Sequence, residues 1–77
     1  MKNKQKVLVK NSSLIKIGLK IKLYRTKLNY TQSDLANLAQ LHRTYIGSIE
    51  RAEKNITIMN LIKISEALKI NITELFL

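Results

Sequence analysis

The sequence predicts an all-α fold, one compact domain of five short helices. Three observations carry that reading. Apolar residues recur at i, i+3 and i+4, the period of a helix with one buried face. Helix-start signals, a Ser, Thr or Asn often followed by an acid three residues on, stand ahead of these runs. The chain also has no proline and only two glycines, which disfavours a turn-rich sheet. Seventy-seven residues are enough for one core and too few for two. With no cysteine and no metal-ligand spacing, nothing staples that core. A chain this small then relies on dense helix packing, often helped by self-association.

Residues 1–12 read as a basic arm, with Lys2, Lys4, Lys6 and Lys10 around Val7-Leu8-Val9. The arm reads as a disordered or partly ordered segment able to lie along phosphates, with a short V-L-V strand against a partner chain as the alternative. Residues 13–77 hold the helices. Ser12 or Ser13 caps the first, at about Leu14–Leu28, with Leu14, Ile17, Ile21, Tyr24 and Leu28 facing inward. Gly18 lets another helix approach closely, at a cost in helix propensity. Ile15, Leu19 and Leu23 make a second apolar stripe, either extra core or a partner surface. Asn29 stands where the chain must leave the helix, and asparagine tolerates the left-handed conformation.

The stretch Thr31–Arg51 reads as two short helices across a tight turn. Thr31 with Asp34 is a capping-box-like pair that opens a helix at Gln32. Leu35, Ala36, Leu38 and Ala39 give it a narrow apolar face. After Gln40 and Leu41, His42-Arg43-Thr44-Tyr45 begins another helix, with Ile46 and Ile49 inward. Its opposite face carries Arg43, Thr44, Gly47 and Ser48, a polar surface suited to an anionic partner. Ala52–Asn55 is a polar loop, and Thr57 caps a fourth helix at about Ile58–Leu68, with Leu61, Ile64, Ala67 and Leu68 inward. Asn71 with Glu74 is a further capping pair, opening a last helical segment through Leu75 and Phe76.

Charge is the informative part of the composition. Fourteen basic residues against five acidic give a net of +9. Residues 1–27 hold nine basic residues and no acid, whereas residues 28–77 hold five of each. A polyanion is the natural partner, and a solubility tail is the plain alternative. No apolar run is long enough to span a membrane. The basic start lacks the apolar stretch of a signal peptide. These features fit a cytoplasmic protein.

The segment resembles the helix-turn-helix of the phage-repressor (Cro/repressor, XRE-like) family of DNA-binding domains. Gln32 matches the first position of the family motif, Leu35-Ala36 its buried pair, Leu41 its turn residue, and Ile46 and Ile49 the inward side of the recognition helix. Arg25 and Glu50 match two further signatures. The phrase R-T-Y-I-G-S-I-E-R-A-E-K-N-I-T also resembles the controller proteins of restriction–modification systems. The likeness covers roughly Leu14 to Phe76. It implies a five-helix repressor-like domain with Arg43–Arg51 as recognition helix, where the family usually has glycine at the position of Gln40. It further implies a homodimer formed by the last two helices, with Ile70, Ile72, Leu75 and Phe76 at the interface. Lys27, Lys54, Asn55 and Thr57 become phosphate contacts. Regulation would follow from position at a promoter, repressing by occlusion or activating through RNA polymerase, in an autoregulatory switch.

Arg43 is the sharpest single residue. Its planar fork at the start of an exposed helix can bond two acceptors of guanine, or else a phosphate or Glu53. Thr44 and Ser48 face a base edge, a thymine methyl or a phosphate. Tyr45 packs on sugar and phosphate, or in the core or a dimer. Gly47 leaves room for DNA to approach. Gln32 opens a helix and suits a phosphate, or is an ordinary first-turn residue. Arg25 and Glu50 read as a structural pair between the first and third helices. His42 is the single histidine, and no nucleophile triad, carboxylate pair or phosphate-cradling loop is present. An enzyme is therefore disfavoured, and neither cofactor nor metal is expected. The rival readings are a phage-type repressor, an antitoxin component, and a protein–protein adaptor built on Leu19, Leu23 and the L-F-L tail. A membrane-surface helix over residues 1–27 is weaker still.

Overall fold

The computed structural model describes residues 11–77. The predicted arm lies outside them except for Asn11 and Ser12, and Ser12 is already helical. Four α-helices follow: α1 (Ser12–Lys27), α2 (Gln32–Ala39), α3 (Arg43–Glu50) and α4 (Ile58–Ala67). The expected fifth helix is one 3-10 turn, Ile72–Leu75. Two of its bonds reach back three residues, from Glu74 N to Asn71 O and from Phe76 N to Thr73 O, and a single one, Leu77 N to Thr73 O, reaches back four, too few to make an α-helix.

The starts follow the capping logic with three changes, the first being that His42 gives α3 no side-chain cap. Thr31 Oγ accepts the Asp34 amide at 3.0 Å, and the Asp34 carboxylate accepts the Thr31 amide at 2.8 Å, a complete capping box. Thr57 Oγ accepts the Asn60 amide at 3.1 Å. Helix α1, however, is capped by Asn11 in place of either serine, its side-chain oxygen accepting the Ser13 and Leu14 amides. Asn71 caps the 3-10 turn through the Thr73 amide, but Glu74 does not reciprocate. Its carboxylate instead accepts the Tyr24 hydroxyl at 2.9 Å, tying the turn to α1.

All four helices end alike. A left-handed residue follows each, Asn29, Gln40, Ala52 and Lys69, with φ of 61°, 59°, 60° and 61°. The next amide reaches back five residues: Tyr30 to Arg25, Leu41 to Ala36, Glu53 to Ser48 and Ile70 to Ser65. Neither of the chain's glycines occupies any of these positions. Ala52 and Lys69 gave no sign of this in the sequence, because their side chains have no preference for that conformation.

Ile21, Leu35, Ile46, Ile64, Leu68 and Leu75 are fully buried and draw on every element. Each such side chain contributes roughly 1.5–3 kcal/mol over an exposed one. Ala36 and Ala39 keep α2 slim where it packs between α3 and α4. Two leucines expected inside are outside, Leu28 at 39% exposure and Leu38 at 56%. Leu28 is the residue at which the chain leaves α1, so the helical period no longer aims it. Leu38 falls about 60° or more off the Leu35–Ala36–Ala39 face at about 100° per residue. Gly18 does the work expected of it. A Cβ there would stand 2.5 Å from the Ile49 carbonyl oxygen and 2.8 Å from that of Glu50. The missing side chain thus lets α1 lie directly on the end of α3. No helix among the described residues is long and apolar enough to cross a membrane.

Candidate nucleic-acid interface

Helices α2 and α3 are joined by Gln40, Leu41 and His42, and the left-handed Gln40 redirects the chain. Leu41 packs partly buried against the core and sets the angle between them. A buried ion pair then locks the unit. Arg25 Nε donates to Glu50 Oε2 at 2.6 Å, Nη2 to Glu50 Oε1 at 3.0 Å, and Nη1 to the Tyr30 carbonyl at 2.8 Å. Gln32 Nε2 donates to Glu50 Oε1 at 3.0 Å. One carboxylate therefore ties α1, α2 and α3 together. The Gln32 side chain, read as a phosphate ligand, faces inward to that carboxylate.

The polar face of α3 is narrower than expected. Arg43 and Thr44 are exposed, and Arg43 makes no hydrogen bond or ion pair among the described residues. Gly47 and Ser48, expected on the same open surface, are buried. Ser48 is only 6% exposed, and its hydroxyl donates to the Thr44 carbonyl one turn back at 3.0 Å. Gly47 lies under Arg51. A Cβ at Gly47 would stand 3.1 Å from Arg51 Nη1 and 3.4 Å from Gln32 Oε1.

Arg51 is the residue that motif reading missed at this surface. Its guanidinium crosses Gly47 beside Gln32, and Nε donates to Glu53 Oε2 at 3.0 Å. That hydrogen bond, then the Glu53 charge, raises the Arg51 pKa above its ordinary value. The signal was available as spacing: Arg43, Gly47 and Arg51 are four apart and share one helix face. Glu53, an alternative partner for Arg43, is paired with Arg51.

The other expected contacts divide. Lys54, Asn55 and Thr57 are exposed along the loop between α3 and α4. Lys27 is exposed, with its ammonium 5.5 Å from the centre of the Tyr24 ring. Tyr45 is half-buried, and its hydroxyl accepts from Asn60 Nδ2 at 3.0 Å, so the ring bridges α3 to α4. Of the residues assigned to a dimer interface, Ile70 and Ile72 are half-buried and Phe76 is 38% exposed. Leu75 is fully buried in its own chain's core and has no surface to give a partner.

A protein-family model described as helix-turn-helix matches residues 21–75. The crystal structure of the restriction–modification controller protein C.AhdI from Aeromonas hydrophila superposes with a TM-score of 0.83 at 36% identity, covering 86% of this chain and 100% of that one. The chain belongs to the helix-turn-helix family of controller proteins. Another relative of this controller-family chain is the control protein C.SmaI of Serratia marcescens, 44% identical over 55 residues. That match takes in 71% of this chain and 66% of the other's length. The biofilm regulator SinR, solved in complex with DNA, has a TM-score of 0.74 at 38% identity, covering 77% and 95% of the two chains. The controller-family chain is a helix-turn-helix DNA-binding regulator of transcription.

Proposed function

We propose that the chain controls a restriction–modification operon, binding a pseudo-palindromic duplex operator as a homodimer and regulating its own gene. The observation that carries this is the exposed Arg43–Thr44 start of α3, held at a set angle to α2 by the Gln40 turn and the Arg25–Glu50–Gln32 cluster. Such a helix enters the major groove with its first residues at base edges. Arg43 reads a guanine with both arms of its fork, and Thr44 meets a neighbouring base edge or thymine methyl. Gly47 leaves room for the Arg51 guanidinium to lie across that face, and Ser48 holds the helix through Thr44. Lys54, Asn55 and Thr57 take phosphates on one side, with the backbone amide of Gln32 at the start of α2 and the Tyr45 ring at the other edges of the footprint. Such contacts position the protein without reading sequence.

Two copies would place their α3 helices about 34 Å apart, one turn of DNA. Ile70, Ile72 and Phe76 form the shared surface, with Leu75 supporting it from beneath. Occupying a promoter represses. Binding upstream, with a face presented to RNA polymerase, activates. Selection from random duplex DNA tests the reading, with the protein sized alone in parallel. An enriched inverted repeat and a dimer are the expected results. Binding with no enriched motif, or a monomer that reads a single half-site, would overturn it.

A further inference from the structure

Among the described residues, helix α1 has a face that neither the core nor the DNA surface uses. Leu19 and Leu23 are 60% and 50% exposed, and Ile15 is 38% exposed. The three are four residues apart, so they form one straight ridge about 12 Å long. Lys16 and Lys20 flank it on one side and Lys22 on the other, at about 100° per residue. No acid occurs anywhere in α1 or before it. Leu19 and Leu23 project about 100° and 140° round the helix from Gly18, the point where α1 meets α3. The ridge therefore stays open while α3 is engaged.

We propose that this ridge docks an acidic amphipathic helix of a partner protein. A line of side chains at i, i+4, i+8 is the ridge that fits the groove of another helix. Its lysine borders then face the partner's acidic flanks, which favour association and reject basic helices. A second copy of α1 is a poor occupant, since it would bring lysines against lysines with no acid between. A lipid surface fits less well too, because Ser12 and Thr26 lie within the stripe and the apolar band is one residue wide. The ridge supplies the protein contact that activation needs, and to that extent it rests on the regulatory reading above.

The test is a titration of the isotopically labelled full chain, without DNA, with a synthetic helix carrying leucines four apart between glutamates. A second peptide with lysines for the glutamates is the control. The acidic peptide is expected to shift the amide signals of α1, less so as salt is raised, and the lysine peptide to leave them unmoved. Leu19→Ser/Leu23→Ser, both at exposed positions, should weaken binding by about tenfold or more. The variant should bind DNA as the parent does. Several results would overturn the proposal: shifts confined to other elements, affinity unchanged in the double variant, or equal binding of both peptides. A larger oligomer that the variant dissolves would assign the ridge to a second copy, and loss of adsorption to anionic vesicles would assign it to lipid. Failure of the parent to bind DNA would refute the regulatory reading alone, since the titration contains none.

Discussion

Glu50→Gln tests the physical core of the account. The substitution keeps the shape of the side chain and removes its charge, leaving the Arg25 guanidinium with the Tyr30 carbonyl and a neutral amide. The side chains of Arg25 and Glu50 are 10% and 4% exposed, so water replaces little of what is lost. Leaving one member of a buried pair costs about 3–5 kcal/mol. A domain of this size is stable by about 4–12 kcal/mol in all. The variant should therefore lose much of its margin, and at about 4–8 °C per kcal/mol its Tm should fall by more than about 12 °C. Thermal unfolding followed by circular dichroism, at matched protein concentration, measures this. Arg25→Met/Glu50→Leu removes both charges and should recover most of the loss, because the pair's attraction is largely offset by its desolvation. A fall of under about 1 kcal/mol in Glu50→Gln would refute the reasoning, and so would a double variant as unstable as the single one.

Three further outcomes follow from the packing. Gly18→Ala should destabilise by about 1–3 kcal/mol despite better helix propensity, because the new methyl meets two backbone carbonyls that cannot turn aside; a more stable variant in denaturant titration would contradict the close approach. Lys69→Gly and Ala52→Gly should each stabilise by about 1 kcal/mol by relieving a left-handed side chain, and a loss at both positions would mean those turns are not strained. The Tyr24 hydroxyl is held protonated above its ordinary pKa of about 10, chiefly by its hydrogen bond to Glu74, then by burial and the Glu74 charge. The stability this gives is complete below that ordinary value and is lost as pH rises through the raised one. Tyr24→Phe should accordingly show a flatter decline in stability above pH about 10, and an unchanged profile would exclude the link.

What could be read from residues alone was what local chemistry decides. Thr31 and Asp34 are three apart and could complete a capping box without help from the rest of the chain. Ile46 and Ile49 show an inward face by spacing, and Gln40 marked the turn by standing where the family has glycine. What could not be read depended on side chains reaching across space. Gly47 looked exposed because its spacing from Arg51, which folds back over it, went unread. Gln32 looked free because Glu50, eighteen residues on, takes its amide. Leu75 looked like interface until the turn at Lys69 carried it into the core.

Sequence recognition through Arg43 on α3 is the step on which the proposed function turns. It is tested by titrating the parent and Arg43→Ala against the selected operator, against an operator with one half-site base pair changed, and against random duplex. The variant is expected to lose about 1–3 kcal/mol on the operator, to lose little on random DNA, and no longer to discriminate at that one base pair. An equal loss on every duplex would make Arg43 a phosphate contact and leave the recognition of sequence to other residues.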